Sequence, residues 1–319
     1  MSTPHEFTPE GIAEHCGDDA FRPYHAFMRS REPYRSIIEN NPWLTPPAPG
    51  EEIGPDDERY YNTTVARKHP YWSNQPLPQP TKDIRRLRRD LFDWGYCLIE
   101  DGLSEQQCSL MKARIAEQAE AERIAGMAYM GPSFQILWAL VNKGECFVGA
   151  LEHDPKWVQS GPLIERLLHE TLGGGFYALS FASNIAFPGC LPQGLHQDQG
   201  MISPFQTPEA PVLMNTMYIL QDVDEVNGGT LIIPGSHRLV SEAGSGQPVG
   251  KLPPAINVEA RAGTVMMFDG RMLHGTGVNR SSEWRYVLTQ ANVKSWIRQQ
   301  ENWALLIDPE VLANASDKL

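Results

Sequence analysis

The sequence predicts a mostly β fold with flanking helices, of the sandwich or jelly-roll type. From Phe176 onward, short apolar runs alternate with clusters of Gly, Pro, Asp or Asn. Many short strands with frequent turn signals are typical of such folds. Internal repeats and low-complexity tracts, which would indicate other architectures, are not found. The predicted strands span residues 176–187, 212–220, 230–233, 255–258, 263–268 and 285–292.

Residues 82–94 predict an amphipathic helix in front of this β-rich part. Four arginines lie between its apolar residues, so they would occupy the solvated face of the helix. This interpretation is favoured over a phosphate-binding patch. The residues at helical spacing that define the apolar face are Ile84, Leu87, Leu91 and Phe92.

A strand and two further helices are predicted next. The strand spans residues 95–100, and Ser104 can cap a helix that runs to about Ala125. Gln107, three residues after Ser104, would complete a capping box. Residues 161–172 predict another helix, which the three following glycines would end.

The chain divides into three predicted parts. Residues 1–80 form a Pro-rich, irregular N-terminal extension, and their short aromatic islands predict that it packs on the core, because wholly disordered segments carry few aromatic residues. Residues 81–295 form the jelly-roll domain, and residues 296–319 form a C-terminal helix and tail.

Composition narrows the expected partners and location. The 319 residues carry a formal net charge of −12, which disfavours binding to nucleic acid or to an anionic membrane surface. The five cysteines are scattered and form no Cys-x-x-Cys pair, so reduced thiols in the cytoplasm are expected, without disulfides or a zinc site. No long apolar run and no secretion signal are found in the sequence.

Three residues predict a metal site. On a β-strand, residues two apart point to the same side, so His196 and Asp198 can converge, and His274 can join them from another strand. Two imidazoles and one carboxylate suit non-haem Fe(II) and leave positions open for a co-substrate and O₂. Arg285, eleven residues after His274, could bind a carboxylate of that co-substrate through its two-pronged guanidinium.

Five motifs follow one another along the chain: residues 92–104, 195–198, 227–237, 263–269 and 274–281, the last leading to Arg285. Together, in this order, they resemble the phytanoyl-CoA dioxygenase-like branch of the Fe(II)/2-oxoglutarate-dependent oxygenases. The resemblance covers about residues 83–295 and implies a double-stranded β-helix, or jelly-roll, core with iron at one end of the barrel.

The resemblance also implies roles for individual residues. His196, Asp198 and His274 correspond to the iron ligands, and Arg285 corresponds to the anchor for the distal carboxylate of 2-oxoglutarate. Thr276 is placed to help Arg285, although it could simply end a turn.

Three further positions are candidates for the pocket. Gln193 resembles a residue that touches the co-substrate in some family members, with an ordinary loop residue as the alternative. Asn215 and Met217 lie on a strand that faces the pocket in the family. Asn215 could contact the co-substrate or could instead be a strand-edge side chain, and Met217 is more typical of a core residue.

Other conspicuous residues are interpreted as structural. His237 follows a Pro-Gly turn that Ser236 can stabilise, so it is not predicted to bind metal. Trp138 and Asn142 could reach a substrate, but a core helix over residues 135–143 is the favoured interpretation.

The resemblance implies an enzyme that uses Fe(II), 2-oxoglutarate and O₂ to oxidise a C–H bond of a small organic metabolite. The reaction could be hydroxylation, desaturation, rearrangement or endoperoxide formation; halogenation is disfavoured, because related halogenases lack the carboxylate that Asp198 supplies. An acyl-CoA substrate is not favoured, since its phosphates need cationic contacts and no evident basic cluster exists outside residues 85–89. Whether the protein is a monomer or a homodimer stays open.

Two rival functions also stay open: a non-catalytic jelly-roll protein that binds a small ligand, and a Zn²⁺-dependent hydrolase. A hydrolase would leave Arg285 without a role, and a binding protein would not need a complete ligand triad. The segment 199–211 is rich in loop residues and predicts a lid that encloses the substrate, with Phe205 as a contact and the N-terminal extension as a second cover.

Overall fold

The computed structural model describes residues 72, 74–131, 133–190, 192–201, 210–238 and 255–319. Within them, two antiparallel sheets share one apolar core and form a jelly roll, as the sequence predicts. The larger sheet has seven strands in the order β1-β8-β5-β10-β4-β3-β2, and the smaller has the order β7-β6-β9. The strands are β1 Tyr96–Ile99, β2 Tyr129–Met130, β3 Gln135–Leu137, β4 Tyr177–Ala186, β5 Leu213–Ile219, β6 Leu231–Ile232, β7 Ile256–Asn257, β8 Val265–Asp269, β9 His274–Gly275 and β10 Arg285–Val293.

Helices cover one face of the larger sheet. A short 3₁₀ helix spans Leu140–Asn142 and another spans Asp198–Met201. None of the helices in the described ranges is long and apolar enough to cross a membrane. The α-helices are α1 Ile84–Trp94, α2 Glu105–Ile124, α3 Glu145–Leu151, α4 Gly161–Leu172, α5 Trp303–Leu306 and α6 Pro309–Ala313.

The two faces of the larger sheet follow from the two-residue period of its strands. On the central strand β5, Met214 and Tyr218 belong to the core beneath the helices. Met217 and Ile219 belong to the core between the two sheets. Asn215 is therefore on the inter-sheet face, where any pocket of the jelly roll would lie.

The predicted caps and strands are confirmed. The Ser104 hydroxyl accepts a hydrogen bond from the Gln107 backbone N–H, and the Gln107 side chain accepts one from the Ser104 N–H. Helix α4 ends at Gly173, and the six predicted strands each contain an observed strand or differ from it by a residue at one end. Such features depend on nearby residues alone, which explains why they can be predicted.

The prediction of the apolar face of α1 is wrong for one residue. Leu87 and Leu91 are buried, but Phe92 is 69% exposed and lies beneath the guanidinium of Arg238. At about 100° per residue, Phe92 is roughly 140° around the helix from Leu87, which is too far to reach the same core.

The core helix predicted for residues 135–143 is also wrong. Residues Gln135–Leu137 form β3 and pair with β4. Ala139 then adopts a left-handed conformation (φ 54°), which separates the strand from the 3₁₀ helix that follows. Trp138 contacts Tyr129 edge-on. The side chain of Asn142 binds the backbone of Leu306 and Asp308, so it holds the C-terminal segment.

Only residues 72 and 74–80 of the N-terminal extension are described. Trp72 is 4% exposed and packs in the core between the sheets. The three-part division of the chain stays a prediction.

Candidate metal centre

Two histidines face each other across a pair of short extended segments. His196 and His274 form an antiparallel bridge in which each backbone N–H donates to the other residue's carbonyl, at 2.9 and 3.0 Å. Opposite residues of such a pair project their side chains to the same side. The two imidazole rings are consequently adjacent, with 4.4 Å between their centroids.

Backbone carbonyls set the orientation of both rings. Nδ1 of His196 is 3.0 Å from the carbonyl oxygen of Gly194, and Nδ1 of His274 is 3.0 Å from that of Met272. A proton on Nδ1 that is donated to a carbonyl leaves Nε2 with its lone pair, which is the tautomer a metal ligand needs. Both Nε2 atoms point to the carboxylate of Asp198.

Asp198 completes the group from a 3₁₀ turn, not from a continuing strand. The prediction that His196 and Asp198 point to the same side of one strand is therefore wrong. His196 is held by the bridge to His274, and Asp198 begins the turn Asp198–Met201. Its Oδ1 is 3.3 Å from His196 Nε2, and its Oδ2 is 3.4 Å from His274 Nε2. Gln197 is buried, and its side-chain amide donates to the Arg271 carbonyl.

The donor set fits a divalent metal ion. In the described part of the chain, His196, Asp198 and His274 are the one group of three or more His, Cys, Asp or Glu side chains close enough to hold an ion, with ligand atoms within 4.8 Å of one another. Burial raises the pKa of Asp198, but the two imidazoles outweigh it and hold that pKa well below its ordinary value. Burial lowers the pKa of His196, and Asp198 more than reverses this. The ionised carboxylate of Asp198 and the two imidazoles therefore form a site that suits a cation.

Arg285 is a buried cation with spare donors. It begins β10, is 1% exposed, and donates from Nη1 to the Asn184 carbonyl at 3.3 Å. Its Nε and Nη2 have no hydrogen-bond partner among the described residues. Burial lowers its pKa to about 10, so the group stays charged at neutral pH. A buried charge without a counter-charge is costly, so this site favours an anionic ligand.

A polar network connects Arg285 to Thr276, close in the chain to His274. Thr276 lies two residues after His274, and its backbone N–H and hydroxyl both lie 3.2 Å from Oε1 of Gln193. The side-chain amide nitrogen of Asn184 donates to the Thr276 hydroxyl at 3.3 Å, and the backbone carbonyl of Asn184 accepts from Arg285. Thr276, Gln193 and Arg285 are thus brought together, although they are far apart in the chain.

Sequence reasoning missed Asn184 as the link in this network. The available signal was an amide side chain within the predicted strand of residues 176–187.

The four remaining candidates have different outcomes. The Asn215 amide donates to Oδ2 of Asp198 at 2.9 Å, so this residue contacts a predicted metal ligand. Met217 packs in the inter-sheet core. His237 is buried beside Gly95, and its Nε2 lies 3.2 Å from the Phe92 carbonyl oxygen, consistent with a structural role. Phe205 lies outside the described residues.

Comparison with known proteins identifies the family. Residues 93–287 match the family model of phytanoyl-CoA dioxygenase (PhyH). This chain belongs to the phytanoyl-CoA dioxygenase family. The resemblance carried by the sequence motifs is confirmed, and the enzyme is an oxidoreductase of the dioxygenase type.

Individual members of the comparison agree with this placement. Dioxygenase af480 of Aspergillus fumigatus is 30% identical over 260 residues, which cover 78% of this chain and 80% of that protein. The 2-oxoglutarate-dependent carbocyclase SnoK from nogalamycin biosynthesis superposes with a TM-score of 0.55 at 20% identity, over 72% of this chain and 94% of SnoK. HygX from Streptomyces hygroscopicus superposes with a TM-score of 0.51 at 14% identity, over 68% of this chain and 90% of HygX. These two structural likenesses show the shared jelly-roll fold.

Proposed function

We propose that this phytanoyl-CoA dioxygenase family member uses Fe(II), 2-oxoglutarate and O₂ to oxidise a C–H bond of a small organic metabolite that is not a CoA thioester. The observation that carries the proposal is the buried guanidinium of Arg285, whose Nε and Nη2 lack a partner in the described part of the chain. A dicarboxylate co-substrate supplies the anion that this cation lacks. HygX is a protein of this fold whose structure was solved with nickel, 2-oxoglutarate and hygromycin B bound.

The triad would hold the iron. His196 and His274 would bind through Nε2, because their Nδ1 atoms face backbone carbonyls, and Asp198 would bind through its carboxylate. Bound iron would activate O₂ while 2-oxoglutarate is converted to succinate and CO₂. A Zn²⁺ hydrolase would use the same three ligands but would leave Arg285 unexplained.

The residues around the triad would orient the co-substrate. Arg285 would bind its distal carboxylate with two parallel hydrogen bonds, and Thr276 and Gln193 are adjacent polar groups that could contact the same molecule. Burial of this region excludes water, which strengthens each charged contact. The protein thereby contributes geometry and a dry site.

The placement of the basic residues supports a substrate without a CoA moiety. The four arginines of residues 85–89 are exposed on α1, and Arg88 pairs with Glu170 on α4. Leu87 and Leu91 of the same helix pack on the helical face of the larger sheet. This basic surface is therefore not on the inter-sheet face that Asn215 shares with the triad.

A lid and a location complete the proposal. We keep residues 199–211 as a proposed cover for the substrate; residues 202–209 of that segment, with Phe205, lie outside the described residues. A cytoplasmic location is supported by the four cysteines of the described ranges, which are all free and buried. Monomer and homodimer stay open.

The test uses protein purified without oxygen. Addition of Fe(II) and 2-oxoglutarate should produce the visible charge-transfer band of the ternary complex, and a screen of small metabolites should reveal O₂-dependent succinate formation with some of them. CoA thioesters form a separate arm of the screen. Tight Zn²⁺ in place of iron, no charge-transfer band and no succinate would sink the proposal, while turnover of thioesters alone would correct the substrate class.

A further inference from the structure

The carboxylate of Asp198 has a third partner besides the two imidazoles. Oδ1 is near His196 and Oδ2 is near His274, but Oδ2 also accepts a hydrogen bond of 2.9 Å from Nδ2 of Asn215. An ionised carboxylate can only accept, so the amide nitrogen is the atom that faces it. The two oxygens of Asp198 are thus not equivalent.

We propose that Asn215 is a positioning residue, which occupies Oδ2 of Asp198 and leaves Oδ1 as the oxygen that binds the metal. The inference rests on the proposed function and adds a role for a residue whose family resemblance suggests only a co-substrate contact.

The strand that carries Asn215 makes it a rigid support. β5 lies between β8 and β10, where Asn215 is paired with Phe268 on one side and Ala291 on the other. The residue is 4% exposed. An amide on a central, paired and buried strand keeps its direction, and such a partner orients a metal ligand better than a loop residue does.

Asp198 itself lies in a segment that needs such support. It starts a 3₁₀ turn, and the next residue, Gln199, ties the backbone to the sheet: its N–H donates to the Gly270 carbonyl at 2.8 Å. Oε1 of Gln199 accepts from the backbone N–H groups of Val212 and Leu213, at 2.8 and 3.3 Å. Gln199 therefore fixes the backbone after Asp198, and Asn215 fixes the Asp198 carboxylate. Both contacts hold Asp198 against the same strand, β5.

The chemical consequence concerns the number of open positions on the metal. A carboxylate that binds through one oxygen uses one position of an octahedral ion, whereas a carboxylate that binds through both uses two. An iron held by the triad would need its remaining positions for 2-oxoglutarate and O₂. By occupying Oδ2, Asn215 would disfavour the two-oxygen mode and so would keep a position free for O₂.

The experiment measures metal binding in the absence of 2-oxoglutarate, where a residue that only contacts the co-substrate has no effect. Asn215→Leu keeps the approximate size of the side chain and removes the hydrogen-bond donor. Affinity for Fe(II), and for Co(II) as a spectroscopic probe, is measured by chelator competition without oxygen. The matched control is Asn292→Leu, which alters a buried amide on β10 that packs on the helical side.

Asn215→Leu should bind metal about 10- to 100-fold more weakly than wild type, the usual loss on removal of a residue that orients a ligand. The Co(II) absorption spectrum should change as well, while Asn292→Leu should leave affinity and spectrum unaltered. If Asn215→Leu does not fold, Asn215→Ala replaces it, with the same expectations.

Wild-type affinity and an unchanged Co(II) spectrum in the Asn215 variant would overturn the inference. The wild-type protein tests the proposed function separately, since its failure to form the Fe(II)–2-oxoglutarate complex would count against that function whatever the variants do.

Discussion

Two buried charges at different places in this molecule have opposite surroundings. Glu301, near the C-terminal helices, is 6% exposed, and its two carboxylate oxygens accept from the backbone N–H groups of Ala139 and Phe181. Arg285, at the start of β10, is 1% exposed and has two nitrogens without a partner in the described ranges. A satisfied buried charge organises the fold, whereas an unsatisfied one indicates a missing ligand.

The same contrast holds for the wider regions. Around Glu301, polar groups join chain segments: Asn142 binds the backbone of residues 306 and 308. Around Arg285, the Thr276 hydroxyl binds the side chains of both Asn184 and Gln193, close in the chain to the candidate ligand His274. We expect substitutions in the first region to lower stability and substitutions in the second to lower activity.

The largest effect should follow loss of a metal ligand. His196→Ala, Asp198→Ala and His274→Ala should each abolish turnover, because each removes one of three ligand side chains, while the fold persists because its core does not depend on the metal. Turnover with limiting iron and thermal melting are the measurements. His169→Ala, on the exposed side of α4, is the control and should behave as wild type. Near-normal turnover in any of the three variants would remove that residue from the site.

Arg285→Gln should raise the KM for 2-oxoglutarate and leave the KM of the organic substrate nearly unchanged. Loss of a charge-assisted paired contact costs about 2–5 kcal/mol, or roughly 30- to several-thousand-fold in binding. Arg280→Ala serves as the control, since Arg280 donates to the Glu225 carbonyl at the exposed surface. If the KM for 2-oxoglutarate responds to Arg280→Ala and not to Arg285→Gln, Arg280 is the anchor.

His153 should make stability fall in mild acid. Burial lowers its folded pKa from 6.5 to about 4, so it stays neutral in the fold while the unfolded chain takes up the proton. Its contribution is therefore complete above about pH 6.5 and is lost as the pH falls towards 4, by roughly 3 kcal/mol at about 1.4 kcal/mol per pKa unit. Urea unfolding of wild type and His153→Gln across this range isolates the effect; parallel pH profiles would show that His153 does not cause it.

The smallest effect on catalysis should come from Glu301. Glu301→Gln leaves one oxygen for two backbone N–H groups, so the free energy of unfolding should fall by about 1–3 kcal/mol. The KM for 2-oxoglutarate should not change. A large change in that KM, with stability intact, would contradict the division between a structural and a ligand-binding buried charge.

Much of the fold was predictable because it depends on short stretches of chain. The capping box of α2 needs only Ser104 and Gln107, and the strands of the jelly roll follow from apolar runs between turn residues. The proximity of His196, Asp198 and His274 was also predictable, since two histidines and an aspartate with these flanking motifs suit a metal site by their residue types, and their role as metal ligands stays a prediction.

Where prediction failed, contacts between distant residues decided the outcome. Residues 135–137 became a strand because β4 offers them an edge, and Phe92 is exposed because the core lies on the other side of α1.

By itself, the sequence determined most of the strands and helices, which residues can bind a metal and which family the chain resembles. Only the tertiary structure decided that Asn215 serves Asp198, that Asn184 joins Thr276 to Arg285, and that the Arg285 guanidinium is buried with donors to spare. The physical reason is that local conformation and ligand chemistry are properties of neighbouring residues, whereas hydrogen-bond satisfaction depends on which segments the folded sheets bring within about 3 Å of one another.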